Sequence, residues 1–455
     1  MTYSTNPRQE CISCHATYDI GQHLIGCKGC GSLLDVTYEM NVNPRIIREV
    51  LKSRREHPQG IFDESGVWRF RNLFPFYEGC NRPIDEILVS LDGREGATKP
   101  LHATGVAKYV GMNPKGFYLQ FEGLQPTGSF KDNGTSVGHT HAKMIGAKKV
   151  ACASTGNTSA SMAAFAANEG DVEAYVFLGK GRVAKGKLAQ TLDYGAKVIE
   201  IESGNFDDAM TVVQNISSDP SNGIYLMNSI NPFRLEGQKT IVYRALEGLN
   251  WHVPDWIVCP GGGLGNTSAF GKALRELYEW GLIDKVPRLA VVQAEGASPL
   301  ENLYSSGLRW NGGNWNKEKV DTFYRQGQEV HTVATAIEIG KPVNLPKALR
   351  ELEYTNGVVT KVSDREIMDA KAVIGRNLFG CEPASAATVA GIKKLIRDGI
   401  MNSEEVIVGI LTGHQLKDPS ATIEYHSDAR NRFANTPIVV PNDAEKILQA
   451  MGIRT

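Results

Sequence analysis

The sequence predicts an α/β protein with parallel sheets, and three observations predict it. From residue 149 onward, short apolar runs alternate with amphipathic stretches of helical period. The turns that follow those runs are crowded with Gly, Ser, Thr and Asn. At 455 residues the chain has room for two sizeable domains and a small appendage. Alternation at this spacing implies βαβ units, and open parallel sheets bind ligands beyond the carboxyl ends of their strands.

Charge and hydropathy narrow the partners. The 49 basic and 50 acidic residues nearly cancel, so no global field gathers nucleic acid or an acidic membrane surface. No stretch reaches the roughly 20 apolar residues of a membrane-spanning helix. The start, MTYSTNPRQECISC, has no apolar signal run. Small-molecule chemistry is favoured. A cytoplasmic location, or delivery by a segment outside this sequence, is expected.

The first element is CISCHATYDIGQHLIGCKGCGSLLDV, which carries Cys11 and Cys14, then Cys27 and Cys30, as two CxxC pairs. A CxxC turn lets two thiolates face one metal, and two such turns complete a tetrahedral sulfur site suited to zinc. The rival reading, four buried or redox cysteines, is weaker because a redox motif needs one pair rather than two. A ribbon of this kind either binds nucleic acid or staples a short segment that has no core of its own. Lys28 is its one basic residue, too few to track phosphates, which favours the staple. Cys80, Cys152, Cys259 and Cys381 are scattered, so no secreted disulfide framework is expected.

Residues 41 to 100 mix short helical pieces such as NPRIIREVLKSRRE with the aromatic loop WRFRNLFPFYEG, and are expected to wrap the main body. Next comes LQPTGSFKDNG, where Lys131 stands at a loop-to-helix turn. Such a lysine is either a solvated surface charge or a nucleophile, and alone the first is commoner. The strand KKVACAS, the helix SASMAAFAANEG, the strand EAYVFLG, the helix VAKGKLAQTLDYG, the strand AKVIEIE, the helix FDDAMTVVQNIS and the strand GIYLMN follow in order. Later, DWIVC and EVIVGI read as strands that run into CPGGGLGN and LTGHQLKD.

Those turns carry the chemistry. Gly261, Gly262 and Gly263, with Gly265 and Asn266, allow close backbone approach to a bound group at a helix amino end. By geometry and dipole this is a phosphate cradle; the bland alternative is a flexible turn. No Gly-Lys-Ser/Thr follows it, and it is not a GxGxxG turn of a first βα unit. The polar turn Ser154, Thr155, Gly156, Asn157, Thr158 suits a carboxylate or phenolic oxygen, although alone a helix cap is its better reading. Together, a lysine turn, a phosphate cradle and a polar turn are what a phosphorylated aldehyde cofactor needs, with the lysine as imine partner. That cofactor is pyridoxal phosphate.

The motifs PTGSFKDNG, CASTGNTSAS, LMNSINPFRLEGQKT, WHVPDWIVCPGGGLGN, GLIDKVPRLAVVQAEGASPL, CEPASAA and LTGHQLKD run across almost the whole chain. They resemble the fold-type II pyridoxal-phosphate enzymes and, within them, the threonine synthase family, closest to its plant and cyanobacterial type. NSINPFRLEGQKT makes the resemblance specific, because relatives that make cysteine or dehydrate serine typically lack it.

The resemblance implies two parallel-sheet α/β domains of tryptophan-synthase-β-like architecture behind a zinc-ribbon-like segment. Residues 1–40 form the ribbon, 41–125 and 235–455 a large cofactor-binding domain, and 126–234 a smaller mobile domain with the lysine and asparagine turns. It implies that Lys131 is the imine partner and base, that Asn157 bonds the pyridine hydroxyl, and that Thr412 meets the ring nitrogen. Gly262, Gly263, Leu264, Gly265 and Asn266 hold the cofactor phosphate through backbone amides. Ser154, Thr155 and Thr158 grip the substrate carboxylate, while Asn228, Ser229 and Arg234 grip the substrate phosphate, for which a guanidinium fork is well shaped. The implied activity is that of a homodimeric lyase converting O-phospho-L-homoserine and water to L-threonine and phosphate. Burial and the cofactor's charge are expected to lower the pKa of Lys131.

Three departures from the family pattern stand out. Gly263 occupies a position where many members carry asparagine. The chain begins at the ribbon, so activation by S-adenosylmethionine is not carried over. The complete pair of CxxC turns exceeds what plant members retain, so the zinc reading rests on spacing. Two rivals remain: a cysteate-synthase-like replacement on O-phosphoserine, and a zinc-ribbon binding protein on a retired pyridoxal fold, which predicts loss of the lysine or the cradle.

Overall fold

The computed structural model of the chain describes residues 4–41, 43–76, 83–179, 185–202, 206–327 and 329–453. Cys80 lies outside them. Among the described residues no helix is long and apolar enough to cross a membrane.

The amino-terminal segment is a small antiparallel sheet in the order β2-β1-β3, made by β1 (Ser4–Cys11), β2 (Thr17–Asp19) and β3 (Leu34–Met40). Its own core is little more than Cys11, Cys27 and Leu34, so it depends on docking. On one side Asp35 receives Lys347 at 3.0 Å and Arg350 at 2.7 Å, while Lys347 also donates to the Leu34 carbonyl at 2.6 Å. On the other, the Ile20 carbonyl accepts from His141 Nε2 at 2.7 Å. That fixes the tautomer of His141, whose Nδ1 then accepts from the Tyr225 hydroxyl at 2.7 Å. His23 accepts from the Leu226 amide at 3.3 Å and packs on the Tyr225 ring.

After the ribbon, the helix Pro44–Glu56 is capped by Asn43 and buries Ile47 and Leu51. The chain then lays down β4 (Pro100–His102) and β5 (Phe117–Phe121). It leaves for a second sheet of β6 (Lys149–Ala153), β7 (Glu173–Gly179), β8 (Lys197–Ile201) and β9 (Ile224–Leu226). It returns to the first with β10 (Trp256–Pro260), β11 (Arg288–Ala294), β12 (Val358–Val362) and β13 (Ile407–Leu411). The larger sheet has the order β12-β11-β10-β13-β5-β4, parallel throughout except for the edge pair β4–β5. The smaller one, β8-β7-β6-β9, is wholly parallel.

Parallel strands are covered on both faces, which is why WIVCP and IVGIL are buried at every position. The helix Pro383–Arg397 lies close on the larger sheet, since a Cβ on Gly391 would fall 2.2 Å from Val292 Cγ2. Two helices meet backbone to backbone between the sheets: a Cβ on Gly134 would fall 2.7 Å from the Arg234 carbonyl, and one on Gly237 2.1 Å from the Asn133 carbonyl. These glycines set Lys131–Met144 against Pro232–Gly248, and so fix Lys131 relative to Arg234.

The helix Pro232–Gly248 is buried from Pro232 to Glu247, charged residues included. A buried charge is tolerated when it is paired. Arg244 meets Glu122 at 2.9 Å, Glu247 meets Arg69 at 2.9 Å, and Glu236 meets Lys239 at 2.6 Å. Arg234 is the exception taken up below.

Candidate active site

A cavity of about 1510 Å³ opens beyond the carboxyl ends of β6, β9, β10 and β13. Its wall contains Lys131, Ser154, Thr155, Asn157, Thr158, Asn228, Ser229, Gly262, Gly263, Leu264, Gly265, Asn266 and Thr412. Each residue assigned to cofactor or substrate from the sequence is therefore on one surface, except Arg234. Four helices begin on this wall: Lys131–Met144, Asn157–Glu169, Gly265–Glu279 and Pro383–Arg397. Their first N–H groups lack helical acceptors, so their dipoles aim positive potential into the cavity.

Lys131 is the first residue of its helix. Its ammonium packs 4.3 Å from the centre of the Phe130 ring, and no carboxylate lies within ion-pair distance among the described residues. Burial, then the nearby charge of Arg234, lower its pKa to about 7, against a smaller pull from Glu382. Near neutrality this amine is available as a nucleophile and base.

The glycine turn ends β10 and starts the helix Gly265–Glu279. Leu264 caps it in the left-handed region, φ +63°, an unfavourable conformation for a residue with a Cβ and one found at sites that must present backbone donors. A Cβ on Gly261 would fall 2.5 Å from Val291 Cγ1, and one on Gly262 3.0 Å from Ile337 Cα. At Gly263 the nearest atom would be Ile339 Cδ1, 3.7 Å away. The first two glycines are required by space; the third is not.

Sequence reasoning missed the group that joins the asparagine turn to Thr412. Glu382 is buried on the cavity wall and accepts from Asn157 Nδ2 at 3.1 Å and from the Thr412 hydroxyl at 3.4 Å. Ser385, one turn on, accepts from the Thr412 and Gly413 amides at 2.8 and 3.0 Å. CEPASAA was visible as a motif, but only the fold brings its glutamate to Asn157. Lys417 also lines the cavity.

Arg234 is fully buried off the cavity wall. Nη1 donates to the Met227 carbonyl at 2.7 Å, whereas Nε and Nη2 have no partner among the described residues. Two orphaned guanidinium donors lie in the chain that leads on from the Asn228–Ser229 turn, and buried donors of this kind suit an anion. A lysine of lowered pKa, a glycine cradle at a helix start and a buttressed neutral hydroxyl at Thr412 fit pyridoxal phosphate.

The pyridoxal-phosphate dependent enzyme family matches residues 91–413. Threonine synthase of Methanocaldococcus jannaschii is 42% identical over 418 residues, covering 91% of this chain and 94% of its own. This chain belongs to the threonine synthases among the pyridoxal-phosphate dependent enzymes. Threonine synthase of the cyanobacterium Synechocystis is 37% identical over 86% of the chain and 94% of its own length. The crystal structure of threonine synthase from Escherichia coli superposes with a TM-score of 0.65 at 16% identity, over 96% of this chain and 94% of that one, a likeness of fold.

The contrast within the glycine turn predicts a difference in cofactor binding. Gly262→Ala is expected to weaken pyridoxal phosphate by roughly tenfold or more in a spectrophotometric titration, because a Cβ there would meet the Ile337 backbone at 3.0 Å and push the turn out of place. Gly263→Asn, the residue common elsewhere in the family, is expected to fold with an unchanged Tm. A large fall in Tm for Gly263→Asn would contradict the space measured there.

In the ribbon, Cys11, Cys14, Cys27 and Cys30 hold their sulfurs within 4.8 Å of one another. The separations of 3.5 Å for Cys11–Cys30 and Cys14–Cys27 are far beyond a disulfide bond, so these are thiols gathered around one point. The donor set fits zinc.

Proposed function

We infer that this chain converts O-phospho-L-homoserine and water into L-threonine and phosphate. The observation that carries the reading is the meeting, in one cavity, of Lys131 with four helix amino ends and the Asn228–Ser229 turn beside Arg234. Pyridoxal phosphate, when bound, supplies an aldehyde and an electron-accepting ring. Lys131 would hold that aldehyde until the substrate's own amine takes its place, and the amine so freed would move the protons at Cα and Cβ of the substrate. The amides of Gly262 to Asn266 hold the cofactor phosphate, Asn157 the ring hydroxyl and Thr412 the ring nitrogen. Ser154, Thr155 and Thr158, at the start of the helix Asn157–Glu169, bind the substrate carboxylate where the dipole favours an anion. Asn228, Ser229 and the free donors of Arg234 bind the γ-phosphate and stabilise it as it leaves. Residues 126–234 serve as the unit that closes over the substrate against 41–125 and 235–455, and a homodimer is the reading of assembly.

The test gives the purified, cofactor-loaded protein O-phosphohomoserine in one arm and O-phosphoserine with sulfite in the other. Threonine and phosphate are expected from the first arm alone. Cysteate from the second, with no threonine from the first, would replace this reading by β-replacement on O-phosphoserine.

For the ribbon, metal analysis is expected to return one zinc per chain, held by Cys11, Cys14, Cys27 and Cys30. Chelation is expected to expose the four thiols and to raise KM for O-phosphohomoserine, because His23 docks on Tyr225 and Leu226 of β9, just before Asn228, and the Ile20 carbonyl holds His141, which in turn bonds Tyr225. Absence of zinc, or ready titration of all four thiols in the native protein, rejects the assignment.

A further inference from the structure

We propose that Glu382 works as an uncharged carboxylic acid that sets the direction of the Thr412 hydroxyl and the Asn157 amide toward the cofactor ring. This rests on the roles given above to Thr412 and Asn157, and it concerns a residue to which those roles assign nothing.

The other buried carboxylates beside cations show what a charged one looks like here. Glu122 is gripped by Arg244 with both distances at 2.9 Å, and Asp35 by Lys347 and Arg350 at 3.0 and 2.7 Å. Glu382 is just as buried, yet among the described residues it makes no ion pair. Its side-chain donors are neutral, and its contacts with Asn157 and Thr412 run from 3.1 to 3.5 Å. It stands at the amino end of the helix Pro383–Arg397 but makes no side-chain cap to that helix. The dipole of that helix favours an anion here, but without an ion pair and with contacts of 3.1 Å or longer it offsets only part of the water that a carboxylate so placed has given up. The groups facing it are Lys131 and Lys417, whose charges favour ionisation, and the Cys381 thiol beside it. Burial outweighs both lysines and raises its pKa.

The direction of the hydroxyls follows from counting lone pairs. Ser385 Oγ already accepts two amides, so its own proton is donated, and the Thr412 hydroxyl at 3.0 Å is nearer than the Gly413 carbonyl at 3.5 Å. Thr412 must then pass its proton on. An ionised Glu382 captures that proton, and draws the Asn157 amide with it. An uncharged Glu382 competes weakly and leaves both donors free for the ring in the cavity. The charge on Glu382 therefore decides whether Thr412 offers the ring nitrogen a proton or a lone pair.

The test reads the carboxyl group and the cofactor separately. The infrared spectrum of the holoenzyme near neutral pH is expected to contain a protonated-carboxyl band that Glu382→Gln removes. Pyridoxal phosphate affinity is expected to fall with rising pH in the parent as Glu382 ionises, and Glu382→Gln to lose that component. Glu382→Ala, which keeps neither carbonyl nor donor, is expected to bind the cofactor about tenfold more weakly than Glu382→Gln. A parent spectrum without the band, or a glutamine variant as impaired as the alanine variant, overturns the proposal. Failure of pyridoxal phosphate to attach to Lys131 in the parent would instead overturn the functional reading on which it rests.

Discussion

Lys131→Ala is expected to lower threonine formation by roughly 10²- to 10⁴-fold or more, the range lost with a general base, and to abolish the borohydride-fixed adduct that the parent carries on Lys131. In the cofactor-free protein the lowered pKa leaves the Lys131 amine neutral above about 7, so the rate at which pyridoxal phosphate attaches should rise with pH through that value and be lost as pH falls below it. The same shift has a sign in stability. Between about 7 and the ordinary lysine value of 10.5 the folded chain binds fewer protons than the unfolded one. Stability of the cofactor-free protein should therefore rise with pH across that window, and Lys131→Ala should flatten the rise. An adduct mapped to another lysine, such as Lys143 or Lys239, would remove the assignment. Lys239 is a poor substitute on structural grounds, being tied to Glu236 and Glu276 at 2.6 Å each.

Arg234→Ala is expected to leave the cofactor and its colour in place while weakening kcat/KM for O-phosphohomoserine by roughly 2 to 5 kcal/mol, the loss typical of one partner of a desolvated charge pair. The motive is physical. Burial lowers the pKa of Arg234 only to about 10, so it stays charged near neutrality, yet two of its three nitrogens have no acceptor among the described residues. A buried cation with two donors unmatched is costly to hold, and an anion that completes it would offset that cost. Arg234→Lys should recover little, since an ammonium lacks the fork. Because Arg234 is fully buried, stability and turnover must be read separately. A variant that loses Tm but keeps kcat/KM would make this arginine a strut, and the substrate phosphate would then rest on Asn228 and Ser229.

Much of this was legible in the sequence for local reasons. The alternation of apolar runs and helical stretches is set by periods of 2 and 3.6 along one chain, and the strands Lys149–Ala153, Glu173–Gly179 and Lys197–Ile201 fall where it placed them. The glycine turn, the asparagine turn and the CxxC pairs are contiguous motifs whose chemistry depends on spacing. Lys131 and the walls around it belong to this class. The strand Phe117–Phe121 does not: it becomes an interior strand of the larger sheet, one place in from the edge, only because β13 pairs with it from nearly 300 residues away and β4 covers its other side. Glu382 is a second case, because a glutamate before a proline reads as an ordinary helix start until the fold carries it to Asn157, 225 residues away. Arg234 is the third. Its sequence position marks it as early in a helix, but only the fold shows that its Nε and Nη2 are without a partner among the described residues, in a helix held backbone to backbone against its neighbour at Gly134 and Gly237. The sequence by itself determined which groups are present and how they are spaced along each turn. The tertiary structure alone decided which buried charges are matched and which keep donors without a partner among the described residues, since desolvation depends on everything that packs around a group and not on its neighbours in the chain.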